Sequence, residues 1–335
     1  MSDENQKEIK ETIDTIKSEL ARRIVGQKTV VEGILTAVAC GGHILLEGVP
    51  GLAKTLAVKT FAEISGLSFK RIQFTPDLLP ADVSGTLIYE QGTGRFSVRK
   101  GPVFTNVVLA DEINRSPAKV QSALLEAMAE KQVTIGSESY ALPEPFLVLA
   151  TQNPIEQEGT YNLPEAELDR FLLKILVDYP SPREEVAIVK SCGNAHMFPV
   201  SRILDAGKIK EIQCAADSVK CADKIIEYIV SIVNATRPSA LSDKKSGGKF
   251  DSFSKNSGFL KYINFGSSPR AGIAMLKCAK AHALFDGRDF VLPEDVKAVA
   301  APVLRHRIVL SYEANADGIT SDELIERILN FVPIP

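Results

Sequence analysis

Three groups of residues have the types and spacing for chemistry on phosphates. The first is Glu47-Gly48-Val49-Pro50-Gly51-Leu52-Ala53-Lys54-Thr55, which follows the apolar run Ile44-Leu45-Leu46 and precedes helix formers from Leu56 to Ser65, closed by Gly66. A buried strand, a glycine-bearing turn and a helix opening on Lys-Thr form a P-loop. The turn's backbone N–H groups and the positive helix end cradle phosphates. Lys54 would reach the β- and γ-phosphates and Thr55 would ligate Mg²⁺. The common pattern has Gly where this chain has Ala53. As the position that opens the helix, Ala53 is expected to take helical angles without strain and to leave a Cβ near the phosphates.

The second group is Asp111-Glu112 at the end of the apolar run Val107-Val108-Leu109-Ala110. Carboxylates at the carboxyl end of a buried parallel strand lie where open α/β sheets bind ligands. Asp111 would hold the Mg²⁺ shell and Glu112 would activate a water against the γ-phosphate. Asn153, just past the run Phe146 to Thr151, could polarise that water; as an isolated Asn-Pro turn it would mean little.

The third group is arginine. Arg170 reads equally as an arginine finger or as a surface ion pair with Glu167 or a neighbour. Arg270 sits in the first turn of a helix capped by Ser268-Pro269, where a cation opposes the helix dipole. A bound phosphate would resolve that conflict better than pairing with a nearby carboxylate. Ile24-Val25-Gly26-Gln27 alone is a helix end with a turn; beside a P-loop the same apolar turn can line an adenine pocket.

These residues need a scaffold, and the patterning supplies one. Helices are expected over 3–22, where Ile9, Ile13, Ile16 and Leu20 share a face, and from Lys28 to Cys40. Strands are expected at 69–74, 107–110, 146–151 and 171–177, with hairpins around Gly92 and Gly136. The stretch 75–82, with two prolines, reads as loop. Tyr179-Pro180-Ser181-Pro182 reads as a domain boundary, with Ser181 and Glu184 as a capping box. Beyond it strand patterns stop, helices follow, and 238–258, rich in Ser, Lys and Gly, reads as a mobile loop.

The chain has 335 residues, enough for two domains. Lys+Arg is 39 and Asp+Glu is 42, a net charge of −3, which argues against a nucleic-acid partner. No apolar run is long enough to span a bilayer, and the polar, acidic start Ser2-Asp3-Glu4-Asn5 does not read as a secretory signal. Five scattered cysteines without a Cys-x-x-Cys pair point to a reducing, cytoplasmic setting.

Over nearly its whole length the chain resembles the MoxR family of AAA+ ATPases. The resemblance rests on Gly48 to Thr55 with Ala before Lys, 77–82, Asp111-Glu112-Ile113-Asn114-Arg115, 121–128, Ala150-Thr151-Gln152-Asn153-Pro154, 163–166, Leu168-Asp169-Arg170-Phe171, Ser268-Pro269-Arg270-Ala271 and 303–307. It implies a five-stranded parallel sheet flanked by helices over 1–180, then a helical lid over 181–335. Hairpin inserts would lie at about 85–104 and 132–146, projecting toward a pore or a client. It implies that ATP or ADP is held by Val25, Gly26, Gln27, Gly48, Val49, Pro50, Gly51, Leu52, Ala53, Lys54, Thr55, Leu56, Asp111 and Arg270. Thr55 and Asp111 would serve Mg²⁺. Catalysis would fall to Glu112, to Asn153 as sensor 1, to Arg270 as sensor 2, and to Arg170 as a finger acting on a neighbour's ATP. A finger acting in trans implies a ring, here a hexamer. The resemblance further implies chaperone-like remodelling or maturation of a partner complex, including metal or cofactor insertion, often with a von Willebrand factor A partner. A metal-chelatase-like motor subunit and, less so, a nucleic-acid remodelling ATPase are the alternatives. A small-molecule kinase would need a base for an acceptor hydroxyl, and Glu112 with Asn153 suits water instead.

Overall fold

The computed structural model describes residues 3–154, 159–190, 198–238 and 258–335. The stretch 238–258 lies, but for its two end residues, outside them. The chain divides into two compact units, one comprising Glu8–Cys214 and the other built on Ala215–Pro335.

The first unit is organised by a five-stranded parallel sheet. Its strands are β1 (Ile44–Glu47), β2 (Phe69–Gln73), β5 (Val107–Asp111), β8 (Leu147–Gln152) and β9 (Leu173–Leu176), in the order β2-β5-β8-β1-β9. The antiparallel hairpins β3–β4 (Gly85–Glu90, Arg95–Lys100) and β6–β7 (Gln132–Ile135, Glu138–Ala141) lie outside it. Continuous apolar runs make the central strands. Every residue of β5 is buried, as are Ile44 to Leu46 and Leu147 to Thr151. Parallel strands covered by helices on both faces take this composition. Helices Asp3–Ala21, Lys28–Cys40 and Lys54–Ser65 follow the expected spans closely, and Ile13, Ile16 and Leu20 are almost wholly buried. The proline-bearing stretch expected as loop contains a short helix, Pro80–Ser84, because Asp82 accepts the Leu79 N–H at 2.9 Å and Pro80 takes the first helical position.

His43 ties the layers together. Its Nδ1 accepts from the Val148 N–H at 3.0 Å and its Nε2 lies 3.3 Å from the Met128 carbonyl oxygen. Full burial pushes its pKa down to about 4, so the ring is neutral with the hydrogen on Nε2.

The expected boundary at 180 differs from the observed division between Cys214 and Ala215. Backbone bonds hold the intervening segment to the first unit. Ile203 and Leu204 N–H groups donate to the Ile64 oxygen at 2.9 and 3.1 Å, and the Gln213 amide donates to the Val38 oxygen at 2.8 Å.

The second unit is helical: Asp223–Ala235, Pro269–Phe285, Pro293–Leu304, Tyr312–Ala316 and Ser321–Phe331. The Thr320–Glu323 capping box forms as expected, with bonds of 3.0 and 3.2 Å. Strand structure does not stop, however. A small antiparallel pair joins β10 (Ile263–Phe265) to β11 (Val309–Leu310), elements too short to leave a periodic signal. Asp295 is wholly buried here. It accepts from the Leu292 N–H at 2.7 Å, from His282 Nδ1 at 2.7 Å, and from two Arg288 nitrogens at 2.7 and 2.6 Å.

Candidate active site

At the carboxyl edge of the sheet lies a cavity of about 460 Å³, lined by Pro50 to Leu56, Lys59, Arg71, Asp111, Glu112, Thr151 and Asn153. The turn after β1 needs its glycines for two different reasons. A Cβ on Gly48 would meet the Val177 oxygen at 2.6 Å, so the backbones approach too closely for any side chain. Gly51 has φ +86°, which only glycine adopts freely. Ala53 departs from expectation. It is not helical but left-handed, φ 57° and ψ 17°, and the helix begins at Lys54. That conformation costs a residue with a Cβ about 1 kcal/mol or more. The glycine of the common pattern would remove the cost.

Lys54 is buried and its ammonium donates to the Gly48 carbonyl. Burial lowers its pKa, while the charges of Asp111, Glu112 and Glu47 oppose that shift. Asp111 ends β5 with both oxygens engaged. Oδ1 accepts from Thr151 Oγ1 at 2.5 Å, and Oδ2 from Arg71 Nη2 at 2.6 Å. Glu112 follows in a left-handed conformation, φ 56° and ψ 49°. Its carboxylate accepts from Gln73 Nε2 at 2.8 Å and from Arg115 Nη1 at 3.1 Å. Of the three described non-glycine residues with positive φ, Ala53, Glu112 and Lys131, two line this cavity. Strain of this kind collects at functional sites. Asn153 is buried at the end of β8, and its carbonyl accepts from the Asn114 amide at 3.4 Å.

The remaining expected residues lie elsewhere. Gly26 and Gln27 face the turn after β9: a Cβ on Gly26 would meet Glu184 at 3.0 Å, and Gln27 donates to the Asp178 oxygen at 3.2 Å. Neither they nor Val25 line the cavity. Arg170 is exposed and donates to the Leu125 carbonyl at 3.1 Å. The ion pair with Glu167 weighed from sequence does not form among the described residues; Glu167 accepts from Ser122 Oγ at 2.9 Å. Arg270 lies exposed in the first turn of Pro269–Phe285 in the second unit, with Ser268 Oγ accepting from its N–H at 3.2 Å.

Arg71, Gln73 and Thr151 were not legible as site residues. Arg71 and Gln73 alternate outward on β2, and only the register pairing Gln73 with Asp111 brings them to the acidic pair. Thr55 and Asp111 line one cavity, and a guanidinium already rests on Asp111. Such hard oxygen donors with a demand for positive charge suit Mg²⁺.

The profile described as "ATPase family associated with various cellular activities (AAA)" matches residues 43–173, and an AAA lid domain profile matches 261–328. Chaperone MoxR1 of Mycobacterium tuberculosis is 47% identical over 97% of this chain and 82% of its own length. Protein MoxR of Methylorubrum extorquens is 31% identical over 95% of this chain and 93% of its own length. The chain belongs to the MoxR family of AAA+ ATPases. A crystal structure of a candidate ATPase from Cytophaga hutchinsonii superposes on this MoxR-family chain with a TM-score of 0.87, at 48% identity, covering 99% of this chain and 97% of the other. Within the MoxR-family chain, the AAA match contains Lys54, Asp111, Glu112, Asn153 and Arg170, and the lid match contains Arg270.

Proposed function

We propose that this MoxR-family ATPase hydrolyses Mg²⁺-bound ATP and uses the cycle to remodel or mature a partner protein complex, as in metal or cofactor insertion. The observation that carries the reading is the convergence of Lys54, Thr55, Asp111, Glu112 and Asn153 on one cavity, with Glu112 held in a strained conformation. Lys54 and the turn's N–H groups bind the phosphates. Thr55 and Asp111 hold Mg²⁺, which neutralises charge on the phosphates when bound. Glu112 takes the proton of the attacking water, and Asn153 orients that water. Val25, Gly26 and Gln27 approach the adenine, and Arg270 takes the role of sensor 2.

Arg170 acts on the ATP of a neighbouring copy, in a hexameric cytoplasmic ring. Its exposure and its place outside the residues that line the cavity suit a role in trans. The partner, of von Willebrand factor A type, and the client would meet the hairpins. On β3–β4, Tyr89 and Phe96 are 54% and 68% exposed with ring centroids 5.3 Å apart, the kind of aromatic pair that recurs at protein contacts.

Steady-state ATPase with and without Mg²⁺ tests the chemistry. A purified chain without Mg²⁺-dependent turnover sinks it. Mixing inactive Arg170→Ala with inactive Lys54→Ala tests the trans role; turnover returns if each supplies what the other lacks, and its absence removes the finger.

A further inference from the structure

We infer that Thr151 is the positioning residue that sets the Asp111–Glu112 pair for hydrolysis, a role that rests on the ATPase reading above. Thr151 is 1% exposed, so its hydroxyl must find partners inside the protein. It finds two. The hydroxyl donates its single hydrogen to Asp111 Oδ1 at 2.5 Å and accepts the Glu112 N–H at 2.8 Å.

The location explains why both bonds fall to one side chain. The ladder between β5 and β8 ends at Ala110 and Ala150. Asp111 still pairs with Gln73 of β2, and at Glu112 the chain leaves the sheet in a left-handed conformation. The Glu112 N–H therefore has no strand carbonyl to meet, and the Thr151 hydroxyl takes that place. On its other side Thr151 pairs in register with Leu46 of β1, two residues before Gly48, and Gly48 donates to the neighbouring Gln152 oxygen at 3.2 Å. Thr151 thus stands between the phosphate-binding turn and the acidic pair and fixes one against the other.

Two consequences follow for the reaction. With Oδ1 committed to Thr151, Asp111 has Oδ2 as the oxygen open to exchange. Arg71 holds it at 2.6 Å, and an arriving cation would compete for that oxygen. With its N–H anchored, Glu112 is held in a conformation it would otherwise leave, and its carboxylate keeps its aim. A β-branched residue suits the task because its χ1 is restricted. Valine has the same shape and can do neither job.

The experiment compares full-length wild type, T151S and T151V. Each is measured for mant-ADP binding in EDTA, for the gain in mant-ADP binding on adding Mg²⁺, and for kcat and KM of ATP hydrolysis. Loss of two hydrogen bonds, one of them to a carboxylate, is expected to lower kcat about 10- to 100-fold in T151V. The Mg²⁺-dependent gain in affinity should shrink, while mant-ADP binding in EDTA stays within about twofold of wild type. T151S, which restores the hydroxyl, should recover most of both losses. General loosening of the site would instead weaken binding in EDTA and raise KM, and that pattern overturns the proposal. So does a T151V protein with wild-type kcat and Mg²⁺ response. Should T151V not fold, T151A against T151S carries the same contrast, and equal values for the two overturn the proposal. If wild type itself fails to hydrolyse ATP, the ATPase reading falls. The Mg²⁺ arm then still judges Thr151, with an unchanged gain in T151V counting against it.

Discussion

Two carboxylate clusters in this chain look alike on paper and differ in what they are for. In the second unit, Asp295 lies within reach of His282, Asp286 and Arg288, and its acid–histidine group has the spacing of a metal site. In the first unit, Asp111 and Glu112 meet Arg71, Gln73, Arg115 and Thr151. Asp295 is saturated: four donors reach its two oxygens, and the Arg288 guanidinium fills the place a metal would take. Its backbone is that of an ordinary helix start. The Asp111–Glu112 pair opens onto a cavity, shares it with a desolvated lysine, and sits on strained backbone. Saturation with relaxed geometry marks structure. Strain beside empty volume marks chemistry.

The comparison predicts opposite signatures. The largest effect belongs to Glu112→Gln, which should lower ATP turnover by about 10² to 10⁴-fold with nucleotide still bound. Its melting temperature should not fall; a large drop there would put Glu112 in the structural class. Asp295→Ala should do the reverse. Removing one partner of a buried ion pair costs about 3 to 5 kcal/mol, read as an earlier unfolding transition. An unchanged midpoint would show that the cluster carries no stability.

A smaller, pH-dependent effect sharpens the same contrast. The Asp295 carboxylate, first through its hydrogen bond, raises the His282 pKa above its usual 6.5. The imidazolium is therefore favoured by folding. Its contribution is complete below about pH 6.5 and is lost as pH rises through the folded value. Arg288 and His282 hold the Asp295 carboxyl far below its usual 3.8 against the effect of burial. Its contribution is present above that usual value and is lost only on strong acidification. Melting temperature should thus decline as pH rises above about 6.5, and His282→Gln should flatten that decline. The smallest effect is expected at Ala53→Gly. Relief of the left-handed strain exceeds the added chain entropy, for a gain of up to about 1 kcal/mol with nucleotide binding kept. A loss of stability there would mean that Ala53 carries no strain.

The scaffold was legible because its signals are long. Four consecutive apolar residues before Asp111, or an isoleucine face over 9–20, admit few other readings. What escaped were residues defined by register. Thr151 reads as one more member of a buried strand, and Arg71 as one more solvated charge on an alternating one. Neither shows its partner until β2, β5 and β8 are laid side by side. The Ala53 conformation escaped because a helix start and a left-handed cap look the same in sequence. The lid strands β10 and β11 escaped through brevity.

The packing of Leu87 over Gly136 has a mechanical consequence. A Cβ on Gly136 would come within 2.7 Å of the Leu87 side chain, so the two hairpins are keyed together. One hairpin hangs from β2 through the helix Pro80–Ser84; the other hangs from β5 through the helix Ala118–Glu130. Those are the strands whose tips carry Arg71 with Gln73 and Asp111 with Glu112. The first unit therefore contains a closed linkage, with two adjacent levers joined at their far ends. Neither hairpin can swing from its own strand without moving Leu87 off Gly136, so each holds the other's position.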